Sequence, residues 1–353
     1  QSGGGWTFGS PSVLMMFYRA PGELESELAE MDECMPHYYR VTNRHGQGAE
    51  TIMRAEALLY QGHVTDAHIE LERAYAQVGG NGQINMALCC DFLSWRLSLH
   101  TDVERRYTFS ERYAALLRYH DASWINIWSA TSAYYHALRG ETDKIPEIFS
   151  QHRLSDIHLL APGKPMMEMI ENQVYLAQGA YAKVVGRSAE LLAACEAMHY
   201  ALVALHIRIQ TAAAYAGLGK PETAHTWLQK ALSDAGPDGL VMPFAENYGL
   251  LKPLLARKTR SAFAARITAL GEAAQARGAE RLRPAAFRAL TAREFEIVEL
   301  MAQRLSNREI AQKCYLSEGS VKQYVNQIYS KLHIEGDTRT KRAQLAALLH
   351  EKT

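Results

Sequence analysis

Four glycine-containing turns recur at a nearly constant spacing in the first part of the chain, and they constrain its fold more than any other feature. The turns are Tyr60-Gln61-Gly62, Leu138-Arg139-Gly140, Ala177-Gln178-Gly179 and Gly217-Leu218-Gly219. The gaps between their final glycines are 78, 39 and 40 residues, so a further turn is expected near residue 101, where His100-Thr101-Asp102 replaces the glycine. Glycine adopts the left-handed conformation that ends many helices at no steric cost. Each turn therefore predicts the end of one helix, followed by a second helix.

The residues around these turns favour paired helices. Between residues 23 and 255, Ala, Leu, Glu and Gln dominate, and the alternation typical of β-strands is absent. Small residues would let paired helices approach closely at Ala55, Ala67, Ala74, Ala177 and Ala224. A period of about 34 to 40 residues with paired helices is in the tetratricopeptide-like range, and such hairpins stack into a solenoid with a concave surface. We predict an all-α protein with such a solenoid at residues 23–255. The alternative is a non-repetitive all-α bundle, because one repeat lacks its glycine.

Residues 290–334 contain the start signals of three short amphipathic helices. Thr291 and Ser306 are each followed three residues later by a glutamate, which is the spacing of a capping box. Ser317 is a suitable N-cap for a third helix, predicted over residues 317–332. The apolar stripe of this helix is expected to be buried and consists of Val321, Val325, Ile328 and Leu332. The opposite face is expected to be exposed and carries Lys322, Gln323, Asn326, Tyr329 and Lys331.

A helix that is backed by a small core and presents amides and a lysine suits the major groove of DNA. The alternative is an ordinary three-helix piece of a larger core. The stretch resembles the LuxR/GerE-type helix-turn-helix family at Leu290-Thr291-x-Arg293-Glu294, at LSNREIA (305–311), at SEGSVK (317–322) and at Lys331-Leu332. It departs from the family at Arg304, where glycine is usual, at Cys314, where an aliphatic residue is usual, and at Tyr324, where histidine is usual. The resemblance implies a four-helix DNA-binding domain at residues 285–353.

In this family the helix-turn-helix motif would lie at residues 307–326, with helix 306–314 across the DNA backbone and helix 317–332 in the major groove. Lysine can donate to guanine, and Gln and Asn can pair with adenine, so the expected base-reading residues are Lys322, Gln323 and Asn326. The expected contacts to the DNA backbone are Asn307, Arg308, Lys313, Ser317, Ser320, Tyr324 and Lys331.

The resemblance also implies a dimer. A fourth helix, from about residue 340 to 350, is expected to pair with its copy in a homodimer on a pseudo-palindromic site. The expected dimer residues are Ala343, Leu345, Ala346 and Leu349. The alternative is that this helix packs on the first helix of its own domain.

A helical array in front of a LuxR-type domain resembles the MalT-like large ATP-dependent regulators. In that family a nucleotide-binding domain comes first, then a helical domain that receives the inducer, and segments 238–244 and 250–255 resemble the end of that helical domain. This chain has no G-x-x-x-x-G-K-[ST] loop, because Gly163-Lys164 and Gly219-Lys220 are each followed by proline, so we expect no nucleotide cofactor. The chain is expected to be either a truncated piece of such a regulator or a natural short member.

Two further segments complete the predicted organisation. Residues 1–22 are expected to be an irregular segment that packs on the helices after it or forms the edge of a preceding domain. Residues 256–284 are expected to form a basic helix and a linker that ends at Pro284. Residues 252–288 carry nine Lys and Arg against two acidic residues, although the whole chain of 353 residues balances 38 against 38. A basic excess beside a reading helix favours attraction to phosphates, and an ordinary solvated charge run is the alternative.

No pattern indicates catalysis or metal binding. The histidine pairs 63/68, 152/158 and 199/206 lack the i, i+4 spacing that places two metal ligands on one helix face. No zinc-protease motif, nucleophile elbow or phosphate loop occurs. The five cysteines, at positions 34, 89, 90, 195 and 314, show no C-x-x-C spacing, which favours a reducing cytoplasm, and no apolar run reaches the roughly 18 residues of a membrane span.

These observations lead to one functional prediction and two alternatives. We expect a cytoplasmic, non-enzymatic transcription regulator that binds double-stranded DNA and senses a small molecule or a protein partner through its helical repeats, with RNA polymerase as a candidate partner. The first alternative is a helical-repeat interaction scaffold with a DNA-tethering domain. The second is an enzyme with an appended DNA-binding domain, which the missing catalytic motifs disfavour.

Overall fold

The computed structural model describes residues 9–79, 83–102, 105–119, 122–258, 261–282 and 285–350, and within these ranges it contains helices and no β-strand. The predicted all-α fold class is therefore confirmed. The chain divides into two compact units, Gln1–Gln275 and Ala276–Thr353. We call them the amino-terminal and the carboxy-terminal unit.

The helices follow one another along the whole chain. The first fourteen are α1 (Leu14–Phe17), α2 (Leu24–Val41), α3 (Ala49–Tyr60), α4 (Val64–Gly79), α5 (Ile84–Leu97), α6 (Phe109–Leu116), α7 (Ala122–Leu138), α8 (Glu147–Ser150), α9 (Lys164–Ala177), α10 (Tyr181–Met198), α11 (Ala201–Gly217), α12 (Pro221–Ala235), α13 (Met242–Glu246) and α14 (Tyr248–Lys258). The last five are α15 (Ala262–Leu282), α16 (Ala292–Ala302), α17 (Asn307–Cys314), α18 (Glu318–Lys331) and α19 (Thr338–His350). Short 3₁₀ turns lie at Leu117–Tyr119, Thr142–Lys144, Leu154–Asp156, Ala161–Gly163 and Ala285–Phe287.

Three of the four glycine turns join long antiparallel partners. Gly62 joins α3 to α4, Gly179 joins α9 to α10, and Gly219 joins α11 to α12, and the two helices of each pair pack against each other. These glycines adopt the positive φ that the sequence predicts. After Gly140 a second helix is predicted, but no long helix follows directly. A 3₁₀ turn and the one-turn helix α8 take its place.

The unit expected near residue 101 has two helices that are not closely connected. Helix α5 ends at Leu97, and α6 begins only at Phe109, with a capping box between Thr108 and Glu111. The predicted short turn at residues 100–102 is therefore wrong in length. Helix α5 packs on α4 and α7 and also contacts α6 through side chains, because Phe109 stacks on Trp95 with ring centroids 3.4 Å apart and Arg112 pairs with Asp91.

A buried polar cluster lies at the centre of the amino-terminal unit. The Nε of Arg96 on α5 lies 2.7 Å from Oε1 of Glu246 on α13, and neither side chain is more than 1 % exposed. Tyr60 on α3 accepts a hydrogen bond from Arg96 at 3.1 Å, and its oxygen lies 2.9 Å from Nε2 of His206 on α11. Tyr134 on α7 donates to Glu246 at 2.9 Å. Hairpins in a simple stack contact only their neighbours, whereas this cluster joins residues up to 150 positions apart.

The first described residues pack into the same unit. Val13, Leu14 and Met15 are fully buried, and the Leu14 amide donates to the buried carboxylate of Glu56 at 2.7 Å. Tyr18 donates to Oδ2 of Asp238 at 2.6 Å, which ties this segment to the loop before α13. The part of the predicted irregular segment before residue 9 lies outside the described residues.

Helices α14 and α15 occupy the predicted basic region. Gly62 packs against Leu270 of α15, and Arg266 donates to the carbonyl of Gln61 at 2.6 Å. The two compact units divide between residues 275 and 276, within α15, whereas the sequence suggested a linker ending at residue 284. Arg260, Arg283 and Pro284 lie outside the described residues.

The carboxy-terminal unit has a core of its own, built by α16 to α19. Buried side chains from these helices and the segments around them form it, namely Phe287, Leu290, Ile297, Val298, Met301, Ile310, Ala311, Cys314, Val321, Ile328, Tyr329, Ile334 and Leu345. Helix α18 packs on α16 and α17, and α19 packs on α16. This core fixes the orientation of α18, the predicted reading helix.

Candidate nucleic-acid interface

Local capping sets the start of each helix in the candidate interface. Thr291 and Glu294, and likewise Ser306 and Glu309, form complete capping boxes, so these predictions are confirmed. The hydroxyl of Ser317 accepts a hydrogen bond from the amide of Ser320 at 3.0 Å and caps α18 as predicted. The cap occupies the Ser320 amide, so the amides of the first turn that remain for a phosphate are those of residues 318 and 319.

One face of α18 is held by the core. Val321 and Ile328 are fully buried, and Val325 and Leu332 are partly buried, as their spacing predicts. Tyr329 was expected on the outer face, and this prediction is wrong because its side chain is only 6 % exposed. The Nζ of Lys341 on α19 lies 5.4 Å from the Tyr329 ring centroid, so the fourth helix covers a second side of α18.

The three predicted base-reading residues lie together on the exposed face of α18. Lys322, Gln323 and Asn326 are all exposed, and Lys322 and Asn326 are one helical turn apart. The Nζ of Lys322 lies 3.6 Å from Glu318, and because both side chains are more than half exposed, this pair is weak and easily exchanged. The face therefore presents an ammonium group and two amides, which can donate to and accept from base edges.

The predicted backbone contacts lie in different environments. Arg308 and Lys313 are exposed, whereas Tyr324 is partly buried against the domain core. The hydroxyls of Ser317 and Ser320 lie 2.8 Å apart and bond each other. At the start of α18, a phosphate would meet the free amides of residues 318 and 319.

Two of the predicted backbone contacts are held by other side chains of the domain. Asn307 accepts a hydrogen bond from Arg342 of α19 at 3.3 Å, and Arg342 also donates to the carbonyl of Leu305 at 3.3 Å. Lys331 donates to Glu294 at 2.8 Å. Its charge is thus already matched inside the domain, and its role as a phosphate contact stays a prediction.

Glu294 has two structural tasks. Its carboxylate accepts from the Thr291 amide at 2.7 Å and from Lys331 at 2.8 Å. Burial acts to raise the pKa of Glu294, but the hydrogen bonds from Lys331 and Thr291 outweigh it and hold this pKa below its usual value. The charged carboxylate therefore links the start of α16 to the end of α18.

The departures from the family pattern fit their positions. Arg304 adopts a positive φ of 63°, which explains why glycine is usual there. Cys314 is buried in the slot that an aliphatic residue would fill. Neither substitution introduces an unpaired charge into the core.

The predicted dimer helix is partly committed to its own domain. Leu345 is 1 % exposed and belongs to the core, so the expectation that it faces a partner does not fit its position. Leu349 is partly buried against the same core, Ala343 is exposed, and the side chain of Ala346 lies outside the described part. The packing of α19 on α16 agrees with the alternative that this helix supports its own domain.

Sequence reasoning missed three residues around this site. Arg342 holds Asn307, and Arg293 donates to the carbonyl of Cys314 at the end of α17. Tyr315, in the turn between α17 and α18, has a φ of 55° and is 97 % exposed. No local signal distinguishes the two arginines from solvated cations, because their acceptors lie 21 and 35 residues away.

The described residues contain no group of three or more His, Cys, Asp and Glu side chains placed to hold a metal ion. His206 is fully buried, and burial together with Arg96 lowers the pKa of its imidazole to about 3. It serves as a neutral hydrogen-bonding partner in the core. Among the described helices, none combines the length and the apolar character needed to cross a membrane.

Comparison with known proteins agrees with the geometry of the carboxy-terminal unit. Residues 288–343 match the family described as bacterial regulatory proteins, luxR family. The chain is 44 % identical over 50 residues to the transcriptional regulatory protein LnrK of Bacillus subtilis (strain 168), a match that covers 14 % of this chain and 23 % of LnrK. The match thus spans about a quarter of that relative, and no solved structure matches the chain. The carboxy-terminal unit therefore contains a helix-turn-helix DNA-binding domain of the luxR family of bacterial regulatory proteins.

Proposed function

We propose that this protein is a sequence-specific regulator of transcription that reads double-stranded DNA with α18. Lys322, Gln323 and Asn326 contact base edges in the major groove. Asn307, Arg308, Lys313, Ser317, Ser320 and Tyr324 contact the DNA backbone, with Lys331 in a supporting position. The amino-terminal unit senses a small molecule or a protein partner and controls DNA binding by α18. RNA polymerase is the expected downstream partner.

One observation carries the proposal. The exposed face of α18 offers three polar side chains with base-reading chemistry, while its opposite face is fixed by a buried core and its start by the Ser317 cap. A reading helix needs this combination, because base recognition requires donors and acceptors held in a fixed register. The luxR-family match covers the same helices.

Selection of bound sequences from a random DNA pool tests the proposal. We expect enrichment of one pseudo-palindromic motif, and equal, salt-sensitive binding to all sequences would instead support the scaffold with a DNA tether. Gln323→Ala should weaken binding to the selected motif by about 1–3 kcal/mol, which is about 5- to 150-fold, and relax the preference at one base pair. Gln303→Ala removes the same side chain from an exposed position at the end of α16, outside the proposed DNA and dimer contacts, and should leave affinity unchanged.

The backbone contacts have a different signature. Arg308→Ala and Lys313→Ala should weaken binding to every sequence and reduce the salt dependence by about one counterion each. Lys331→Ala should cost stability of the domain as well, because Lys331 donates to Glu294.

The predicted homodimer is proposed only for the DNA-bound state. Since Leu345 is occupied in the domain core, the remaining exposed surface of α19 would form the contact. Size-exclusion chromatography with light scattering, with and without the selected DNA, measures this directly. A monomer on a half-site would refute the dimer and leave the reading helix intact.

A further inference from the structure

A cavity of about 500 Å³ opens beside the hairpin of α9 and α10. Its third wall is the segment 152–159, which follows the one-turn helix α8 and takes the place of the second helix expected after Gly140. The cavity thus lies where the helical repeat is interrupted. Its volume is within the range of about 300–1,000 Å³ that is usual for small-molecule sites.

The charges that line this cavity are not balanced. Arg187 is paired with Glu171 and lies 3.9 Å from Glu168, so one guanidinium serves both carboxylates. Lys164 lies 3.7 Å from Glu168 and is 60 % exposed, which makes this a weak pair. Lys183 is exposed and forms no ion pair within the described residues. The lining therefore offers positive charge that the protein itself does not neutralise.

Part of the lining is aromatic and apolar, although Nδ1 of His152 also lies 3.6 Å from the Glu171 carboxylate. The rings of His152 and Tyr175 stack with centroids 3.7 Å apart and an angle of 7° between their planes. The side chain of Gln178 bonds Nε2 of His152 at 2.8 Å and donates to the carbonyl of Ser150 at 3.0 Å, which fastens this segment to the end of α9. Leu154 and Leu159 add apolar surface. A preformed wall of this kind lowers the ordering cost of binding.

The lining of the cavity includes a helical glycine. Gly186 lies inside α10, where glycine is less favourable than alanine, yet a Cβ at this position would meet nothing within 4 Å. By contrast, Gly217 and Gly271, also in helices, each make room for a tyrosine ring. Gly186 is exposed, has no such neighbour and lines the cavity.

A second cavity, of about 560 Å³ and lined by residues of α10, α11 and α12, lacks this charge imbalance. Its two arginines are already engaged, Arg19 with Glu27 and Glu30, and Arg208 with Asp234 at 3.1 Å. It gives no indication of the charge of a ligand.

We propose that the cavity between α9, α10 and residues 152–159 binds a small organic anion, a carboxylate or a phosphoester with an apolar or ring-shaped body. Lys183 and Lys164 face the anionic group, and the His152–Tyr175 stack with Leu154 and Leu159 contacts the body. This inference rests on the proposed function in one respect only, in that the anion would be the effector of the regulator.

The experiment measures binding of four benzene derivatives to the full chain by saturation-transfer NMR and calorimetry. Phenyl phosphate and benzoate are the anionic probes and separate phosphate from carboxylate recognition, whereas benzyl alcohol and benzylamine are the neutral and cationic counterparts. We expect millimolar binding of at least one anion and none of benzylamine. Lys183→Glu should lower the affinity for the anion about tenfold, since it removes one attraction and adds a repulsion.

Two control substitutions away from the cavity match the two test substitutions. Gly186→Leu places four carbon atoms in the cavity and should weaken anion binding, whereas Gly278→Leu makes the same change in α15 at a glycine that also has nothing within 4 Å of its Cβ position and does not line the cavity. Lys220→Glu reverses the charge of an exposed lysine elsewhere on the unit and should leave the affinity unchanged. Unchanged thermal melting, followed by far-UV circular dichroism of the whole helical chain, confirms that each variant folds.

The outcomes separate this site from the proposed function. Binding of benzylamine as tight as that of the anions, absence of binding by both anions, or anion binding that Gly186→Leu leaves unchanged would each overturn the site. A chain that binds the anions at this cavity but selects no DNA motif would overturn the regulator and leave the site standing. A chain that selects one DNA motif but binds neither anion would overturn the site and leave the regulator standing.

Discussion

The glycine turns provide a matched series for measuring how α15 is held on the amino-terminal unit. Gly62, Gly140, Gly179 and Gly219 have φ values of 80°, 69°, 73° and 70°, so their backbones are nearly the same. Only Gly62 is crowded. A Cβ there would lie 2.8 Å from Cδ1 of Leu270 and 2.9 Å from Cγ2 of Val241, whereas nothing lies within 4 Å at the other three positions.

Alanine at these positions should therefore separate backbone strain from crowding. Each substitution forces an L-residue into the left-handed region, which costs about 1–2 kcal/mol. Gly62→Ala adds overpacking of about 1–3 kcal/mol, because Leu270 can move but Val241 is fully buried and branched at Cβ. We expect the free energy of unfolding to fall by about 2–5 kcal/mol for Gly62→Ala and by about 1–2 kcal/mol for the other three variants.

Tryptophan fluorescence is a selective assay for this series. The five tryptophans, at positions 6, 95, 124, 128 and 227, all lie in the amino-terminal unit, so urea unfolding followed by fluorescence reports on that unit alone. Four variants of equal stability would refute the reasoning, since Gly62 would then have no special contact with α15. A large loss for Gly219→Ala, which has open surroundings, would contradict it as well.

Three further experiments test the buried charges and the DNA-binding domain. Burial raises the pKa of Glu56 to about 7, so ionisation of this carboxyl group opposes folding. The free energy of unfolding therefore falls as pH rises from about 4.5 to 7. Glu56→Gln should remove this loss of about 3 kcal/mol, which urea unfolding across that pH range measures. Arg96→Met should destabilise the amino-terminal unit by about 3–5 kcal/mol, because it leaves Glu246 buried without its ion-pair partner. The double variant Arg96→Met with Glu246→Met should recover most of the lost stability, which a double-mutant cycle measures. Arg342→Ala should weaken DNA binding about fivefold without changing the selected motif, because Arg342 positions Asn307, and fluorescence anisotropy on the selected and on a scrambled duplex checks both parts.

The features that sequence predicted correctly depend on residues close to one another in the chain. The capping boxes at Thr291 and Ser306 form because each serine or threonine and its glutamate are three residues apart. The exposed positions of Lys322 and Asn326 follow from the helical period of α18. Such signals specify a helix, its start and one of its faces.

The errors arise where a second element decides the outcome. Tyr329 was predicted to be exposed because the apolar stripe of α18 accounts for only one buried side of the helix. Helix α19 covers a further side, where Tyr329 lies. After Gly140 the turn signal is correct, but the helix that follows is limited to one turn between Pro146 and the left-handed His152. Leu345 was assigned to a dimer because an apolar helix face does not reveal which surface covers it.

The central ion pair also limits where the amino-terminal unit can bind a ligand. Arg96 and Glu246 are 150 residues apart, and no local pattern predicts that they meet. Because they and their partners Tyr60, Tyr134 and His206 fill the space between the helices that carry them, a ligand there would have to displace a fully desolvated charge pair. A ligand at the periphery, such as the cavity beside α9 and α10, meets no such cost. The pair holds α5 against α13, so a ligand that leaves this pair intact binds at the periphery of the unit.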